Sequence, residues 1–313
     1  MSRKKIIRIT TISFSLDTLL KGQLSFLNNY YEVVGIASGK KELQKVSKRE
    51  DIRVINIPMS REISLWQDLR SLILLVALFI KERPYIVHAN TPKASLLAMV
   101  AAWVTRVPYR IYTVTGLRFE TAIGNFRKLL IAMEKITCWC ATKVIPEGEG
   151  VKKALIREKI TNRPLRVILN GNINGIDTQH YDRTTHVNLL ASEIREKDKF
   201  TFCFVGRLVR DKGINELVFA FVRLYEQNVG VRLILVGPFE KELDPVLPET
   251  EWQILNHTAI SFVGFQQDIR PYLAASDALA FPSYREGFPN VVLQAGAMGL
   301  PSIVTDINGC NEI

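Results

Sequence analysis

Apolar and polar positions alternate along this chain in short blocks. Compact apolar runs at 5–10, 31–37, 52–57, 85–90, 109–115 and 143–145 predict strands covered on both faces. Helical spacing between them predicts helices at 23–29, 65–81, 93–105, 126–141 and 151–158. A further strand is predicted at 166–169. Residues 11–22 are predicted as loop and the charged stretch 40–51 as a solvated connection. Strand and helix in strict turn argue for a doubly wound parallel sheet.

That rhythm breaks at 170–177, Asn-Gly-Asn-Ile-Asn-Gly-Ile-Asp, which is dense in turn formers. A polar connector with a short helix fills 178–199. Strands then resume at 200–204, 231–236, 260–263, 278–281 and 301–305, with helices at 270–276 and 291–298. The pattern predicts a first domain over 1–177 and a second over 178–313, and 313 residues suffice for two α/β domains.

Composition narrows the chemistry. Cys138, Cys140, Cys203 and Cys310 show no C-x-x-C spacing and read as reduced structural thiols of a cytosolic chain. His88, His180, His186 and His257 are scattered, without a zinc-ligand pattern, and no D-x-D occurs, so no metal is expected. The pair Glu147 and Glu149 reads as a helix start. The 11–22 loop lacks G-x-G-x-x-G, which argues against a nicotinamide cofactor.

Charge is uneven. Residues 1–177 hold 29 Lys/Arg and 14 Asp/Glu, a surplus of +15, while 178–313 hold 12 and 17, or −5. The basic half suggests an anionic membrane surface or an anionic acceptor. No nucleic-acid-binding motif accompanies it. The run after Met1-Ser-Arg-Lys-Lys is too short and polar-punctuated for a signal peptide. The longest apolar run, 71–80, is far below the roughly 20 residues that span a bilayer. It reads as a core helix, with an interfacial helix as the alternative.

Candidate chemistry gathers at strand ends, where sheets of this kind bind ligands. In the first half these are His88-Ala-Asn90-Thr-Pro-Lys93 and Thr113-Val-Thr115-Gly116, with Gly22 beside a helix start. In the second half Gly206-Arg207 and Lys212-Gly213 follow one buried strand. Gly264-Phe265 follows another. After the strand at 278–281, Glu286 and Gly287 make a turn, Pro289 suits a first helical turn, and Gln294 lies about two turns on. Amides at such a helix start attract anions.

The stretch Glu286-Gly287-Phe288-Pro289-Asn290-Val-Val-Leu-Gln294 resembles the E-G-F-x-x-x-x-L-E signature of retaining family 4 glycosyltransferases, with Gln at the second Glu. Gly206-Arg207-Leu-x-x-x-Lys212-Gly213 resembles their G-R-L-x-x-x-K-G. His88-Ala-Asn90-Thr-Pro-Lys resembles their H-x-H-T-P-K, with Asn90 at the second His, and 170–177 resembles their interdomain segment. The resemblance covers nearly the whole chain. It implies the GT-B fold, two Rossmann-like doubly wound parallel-sheet domains facing a cleft, the first on the acceptor side, with Gly22, His88, Asn90, Thr115 and Gly116 as its cleft residues.

The same resemblance implies that Arg207 and Lys212 hold the donor diphosphate and, with Glu286, carry catalysis. Gly206, Gly264, Phe265 and 286–290 line the donor site, and Gln294 meets the ribose. It implies a nucleotide-sugar donor, a UDP-sugar foremost, no metal or other cofactor, and a polyprenyl-diphosphate-linked glycan acceptor. The setting implied is capsule, O-antigen or exopolysaccharide synthesis by a cytoplasmic enzyme peripheral on the inner face of the plasma membrane. Relatives continue with helices closing the second domain, so a C-terminally truncated chain and an incomplete second domain are expected. Two other readings stay open. One is a sugar-nucleotide epimerase of the same fold, which needs further acid/base carboxylates. The other is a non-catalytic donor- or membrane-binding subunit, toward which Gln294 points.

Overall fold

The structure is a computed structural model and describes residues 3–242 and 244–313. Its backbone contacts divide the chain into two compact units, Met1–Asn174 and Gly175–Ile313.

The first unit runs β1 (Lys5–Ile12), α1 (Ser13–Leu19), α2 (Gln23–Asn28), β2 (Glu32–Ser38), α3 (Lys40–Glu50), β3 (Arg53–Asn56) and α4 (Leu65–Glu82). It continues with β4 (Ile86–Ala89), α5 (Pro92–Val104), β5 (Tyr109–Val114), α6 (Gly124–Cys140), β6 (Lys143–Pro146) and α7 (Glu149–Arg157). All six strands pair in parallel in the order β3-β2-β1-β4-β5-β6. Side chains alternate along β1. Ile7 and Ile9 join the core beneath α4 to α6, while Ile6 joins the core beneath α1 to α3. Arg8 shares the side of Ile6 and is buried within an otherwise apolar strand.

The second unit runs α8 (Thr185–Ile194), β7 (Phe200–Val205), α9 (Ile214–Gln227), β8 (Val231–Val236), α10 (Pro248–Asn256) and β9 (Ile260–Gly264). It ends with α11 (Arg270–Ala274), β10 (Ala278–Phe281), α12 (Asn290–Ala297) and β11 (Ser302–Val304). Five parallel strands pair in the order β11-β10-β7-β8-β9 around one apolar core. Each sheet therefore changes direction once, beside β1 and β4 in the first unit and beside β7 and β10 in the second. Such a switch point splays neighbouring loops apart and leaves a crevice at the carboxyl ends of the strands.

Several expectations are corrected. Residues 40–51 hold a helix, α3, which buries Leu43 and Val46; surrounding lysines mask so narrow an apolar stripe. Residues 11–22 hold the end of β1 and helix α1 rather than a loop. No strand forms at 166–169, because the sheet ends at β6, and Ile168 and Leu169 are exposed there. Pro289 caps α12 from outside, one position before its expected place. Helix α4 is only half a core helix, since Ile73, Leu74 and Ile80 face outward.

Candidate active site

The second unit's switch point is built from two loops, one after β7 and one after β10. Gly206 follows β7 directly. Its carbonyl lies so close to Gly237, at the end of β8, that a Cβ there would come within 1.8 Å of it. Arg207 follows, half-exposed and ion-paired with Glu240. A single tight turn, Arg210–Lys212, then ends at Gly213 with φ of 69°. Gly213 faces the carbonyl of Pro282 in the other loop, where an added Cβ would meet the oxygen at 2.0 Å. A side chain at this position is excluded both by backbone conformation and by space.

Asp211 fastens the two loops together. Its carbonyl accepts from the Tyr284 amide at 2.9 Å and the Ser283 hydroxyl at 3.2 Å. Its carboxylate accepts from Arg285 at 2.7 Å. The result is that Lys212 and Glu286 form an ion pair, with both side chains largely covered. The Lys212 ammonium also lies 5.1 Å from the centroid of the Phe281 ring, a favourable cation–π placement.

Beyond Glu286, Gly287 packs its carbonyl against Gly309, and Phe288 is buried. Asn290 opens α12, with Pro289 as its cap. On the same helix Gln294 donates from Nε2 to the Tyr181 hydroxyl at 2.8 Å. Burial pushes the Tyr181 phenol up, so it stays a neutral hydroxyl. Gly264 ends β9 in the left-handed region, its carbonyl accepting from the Gly237 amide at 2.8 Å, and Phe265 beyond it is exposed. The ends of β7, β8 and β9 are thus joined through three glycines.

In the first unit the predicted residues sort differently. Asn90 is fully buried: its Oδ1 accepts from Arg8 at 3.0 Å and its carbonyl from Thr115 at 2.8 Å. Arg8 also donates to Gln23 at 2.5 Å, and Gln23 to the carbonyl of Ile173 at 3.1 Å. Burial pushes the Arg8 guanidinium down to about 9. His88 shares a hydrogen bond of 2.8 Å with Thr113, and burial together with the Arg8 charge holds its imidazole well below the usual range, hence neutral. Gly22 donates its amide to both carboxylate oxygens of Glu50, at 3.0 and 3.1 Å. That amide of α2 is therefore spent on a protein carboxylate. Gly116, with φ of 128°, lies buried just past β5.

Sequence reasoning missed Asp211, Tyr181, Arg8 and Gln23. The arginine in the middle of an apolar strand was a visible signal; the other three occupy unremarkable polar positions. Among the described residues no group of three or more His, Cys, Asp or Glu side chains is placed to hold a metal ion. All four cysteines are free and buried. No helix of the described residues is long and apolar enough to cross a membrane.

Comparison with known proteins gives the class. Residues 29–171 match the glycosyl transferase 4-like domain family, and 199–313 match the glycosyl transferases group 1 family. The structure superimposes on the crystal structure of Anabaena HepE in complex with UDP and glucose with a TM-score of 0.79, covering 99% of this chain and 82% of that one at 19% identity. Two parallel doubly wound units of this kind form the GT-B fold, and the two family matches make the chain a glycosyltransferase.

The chain belongs to the family 4, or group 1, glycosyltransferases. It is 34% identical over 313 residues to the capsular polysaccharide biosynthesis glycosyltransferase CapM of Staphylococcus aureus, covering 99% of this chain and 80% of that one. It is 32% identical over 269 residues to an Escherichia coli UDP-Gal:alpha-D-GlcNAc-diphosphoundecaprenol alpha-1,3-galactosyltransferase, covering 84% and 68%.

Proposed function

We propose that this enzyme moves a hexose from a nucleotide-sugar, a UDP-sugar foremost, to a polyprenyl-diphosphate-linked glycan, with retention of anomeric configuration and without a metal. It works on the inner face of the plasma membrane in bacterial surface polysaccharide synthesis. The observation carrying this reading is Lys212, held by Glu286 and Phe281 at the second unit's switch point. When the bond between sugar and diphosphate breaks, negative charge builds on the leaving group. Cations fixed in advance stabilise that charge with little rearrangement. Lys212 and Arg207 supply two, replacing the divalent ion that other sugar transferases use. Glu286 then orients the sugar hydroxyls, and Gln294 and Tyr181 offer polar contacts to the ribose.

The relatives support the substrate classes. The Escherichia coli relative's description names UDP-Gal as donor and a diphosphoundecaprenol acceptor. A Campylobacter jejuni relative, 25% identical over 232 residues, is described as acting on a diphospho-undecaprenol acceptor too. The test is direct. Incubate the enzyme with a panel of nucleotide sugars and a polyprenyl-diphosphate-linked GlcNAc in detergent and chelator, then follow product by mass spectrometry and its anomeric proton by NMR. Transfer from a UDP-sugar with retention is expected. Inversion, a strict metal requirement, or no transfer from any UDP-sugar would defeat the reading.

A further inference from the structure

Both cations of the second unit's switch point face a carboxylate. Lys212 is paired with Glu286, and Arg207 with Glu240. The two acids come from different places. Glu286 belongs to the loop after β10 and to the E-G-F stretch. Glu240 follows β8, by way of Gly237, Pro238 and Phe239, and lies outside every signature stretch.

The chain after β8 is fastened along the loop that carries Arg207. Leu208 donates its amide to the Pro238 carbonyl at 2.9 Å, and Leu208 and Phe239 form a parallel bridge. Arg210 donates its amide to the Asp244 carbonyl at 3.3 Å and its Nε to the Pro245 carbonyl at 2.8 Å. The Asp211 amide donates to the Asp244 carboxylate at 2.7 Å. Glu240 therefore stands between two anchored points, Phe239 and Asp244. Its backbone is held beside Arg207 by bonds that do not involve the ion pair itself.

The two partners are unequally covered. The Glu240 side chain is 18% exposed and the Arg207 side chain 44%. The arginine is the partner with room to turn, and the carboxylate stays where the segment puts it. A guanidinium fork accepts a carboxylate or a phosphate with the same planar geometry. The two compete for Arg207, so the strength of the ion pair is subtracted from the affinity of an arriving diphosphate. It is recovered when the diphosphate leaves.

We propose that Glu240 is a positioning residue: the counter-ion that Arg207 leaves when the donor binds and returns to when the nucleoside diphosphate product departs. It thereby weakens product binding and speeds release. The inference rests on the proposed reading of Arg207 as a diphosphate ligand and adds a residue that acts against that contact. The need is chemical. Once the sugar is gone, the terminal phosphate gains an ionisable oxygen and with it negative charge at neutral pH. Fixed cations then hold the product more strongly than they held the donor, and product release is a common limit on turnover. A carboxylate built in beside one of those cations offsets the gain.

The test is a double-mutant cycle on the whole chain. Calorimetry of wild type with UDP, GDP and ADP selects the nucleotide for the remaining measurements. Glu240→Gln keeps the side-chain length and removes the charge. It should tighten binding of that nucleotide about three- to fivefold, the range open to an ion pair with an exposed partner. Stopped flow should show dissociation slowed by a similar factor. Glu240→Ala should tighten binding too, since the effect comes from the lost carboxylate. In an Arg207→Ala background Glu240→Gln should change affinity by less than about 1.5-fold. The inference is overturned if Glu240→Gln leaves binding unchanged or weakens it. It also falls if only the Gln variant gains, which would credit the new amide, or if the gain persists without Arg207, which would make it a general field effect. If Arg207→Ala weakens nucleotide binding while Glu240→Gln changes nothing, the diphosphate reading stands and this inference alone is wrong. If no nucleoside diphosphate binds, or Arg207→Ala leaves binding intact, both fail.

Discussion

Lys212 and Glu286 lie 74 positions apart in the chain and meet as an ion pair, because Asp211 ties the loop of one to the loop of the other. The lysine's charge is directed at a carboxylate of the same switch point. On the proposed reading, a donor diphosphate would compete for that lysine and leave Glu286 available to sugar hydroxyls. Lys212→Ala and Arg207→Ala should each lower turnover on the order of 10²-fold, the effect of removing one fixed donor from a site of developing charge. Steady-state kinetics with whichever donor the nucleotide-sugar panel selects checks this, and wild-type turnover in both variants would refute it.

Gln294 separates binding from chemistry. Its amide donates to Tyr181, so on the proposed reading its carbonyl is the part that would meet the ribose. Gln294→Glu should tighten donor binding up to about tenfold, since a charged acceptor is stronger than a neutral one. Glu286→Gln should lose most turnover with donor still bound. Calorimetry and kinetics on the pair decide it. Abolished binding in the first variant with intact turnover in the second would reverse the two assignments.

The glycine contacts should be unforgiving. Gly213→Ala forces a Cβ against the Pro282 oxygen in a left-handed backbone. Strain of this kind costs about 1–2 kcal/mol, and overpacking adds about 1–3 kcal/mol. Urea denaturation should show a lower midpoint with an unchanged slope. Gly264→Ala, with open space around the added Cβ, should show only the backbone part. Equal losses in the two variants would contradict the steric argument.

Glu134 gives the first unit a pH dependence. Burial raises its carboxyl to about 7, although Tyr112 donates a hydrogen bond that pulls the other way. Below the ordinary carboxylate range, folded and unfolded chains both hold the proton. Between that range and about 7 only the folded chain keeps it, so stability falls as pH rises and then levels off. Gln keeps the acceptor for Tyr112 and has nothing to ionise. Glu134→Gln should therefore match wild type below the ordinary carboxylate range and exceed it by up to about 3 kcal/mol near pH 8, because each tenfold change in proton affinity is worth about 1.36 kcal/mol. An equal gap at both ends of that range would show that the carboxyl titrates normally.

Much of this molecule was legible in the sequence because parallel strands are continuous apolar runs, and most of those runs became strands. The stretch at 166–169 is the exception. Four apolar-rich residues make a strand only if a neighbouring strand offers hydrogen bonds, and β6 is already the last in its sheet. The loops bearing Arg207, Lys212 and Glu286 were legible through their glycines and spacing. Asp211 was not, since a single aspartate in a loop looks the same whether it faces water or binds two loops together. Helix α4 shows a limit of another kind. A run apolar on every side has no preferred face, so burial of one half and exposure of the other became visible only with the sheet in place.

The four buried thiols have a practical consequence. Burial pushes Cys203 and Cys310 up to about 12 and raises Cys138 and Cys140 as well. At neutral pH none presents a thiolate to solvent, which is the form that alkylating dyes attack. The native chain is therefore already a silent background for site-specific labelling. A single cysteine introduced on an outward position of α4 or beside Glu240 would carry the only fluorophore, with no need to strip the natural ones from the core.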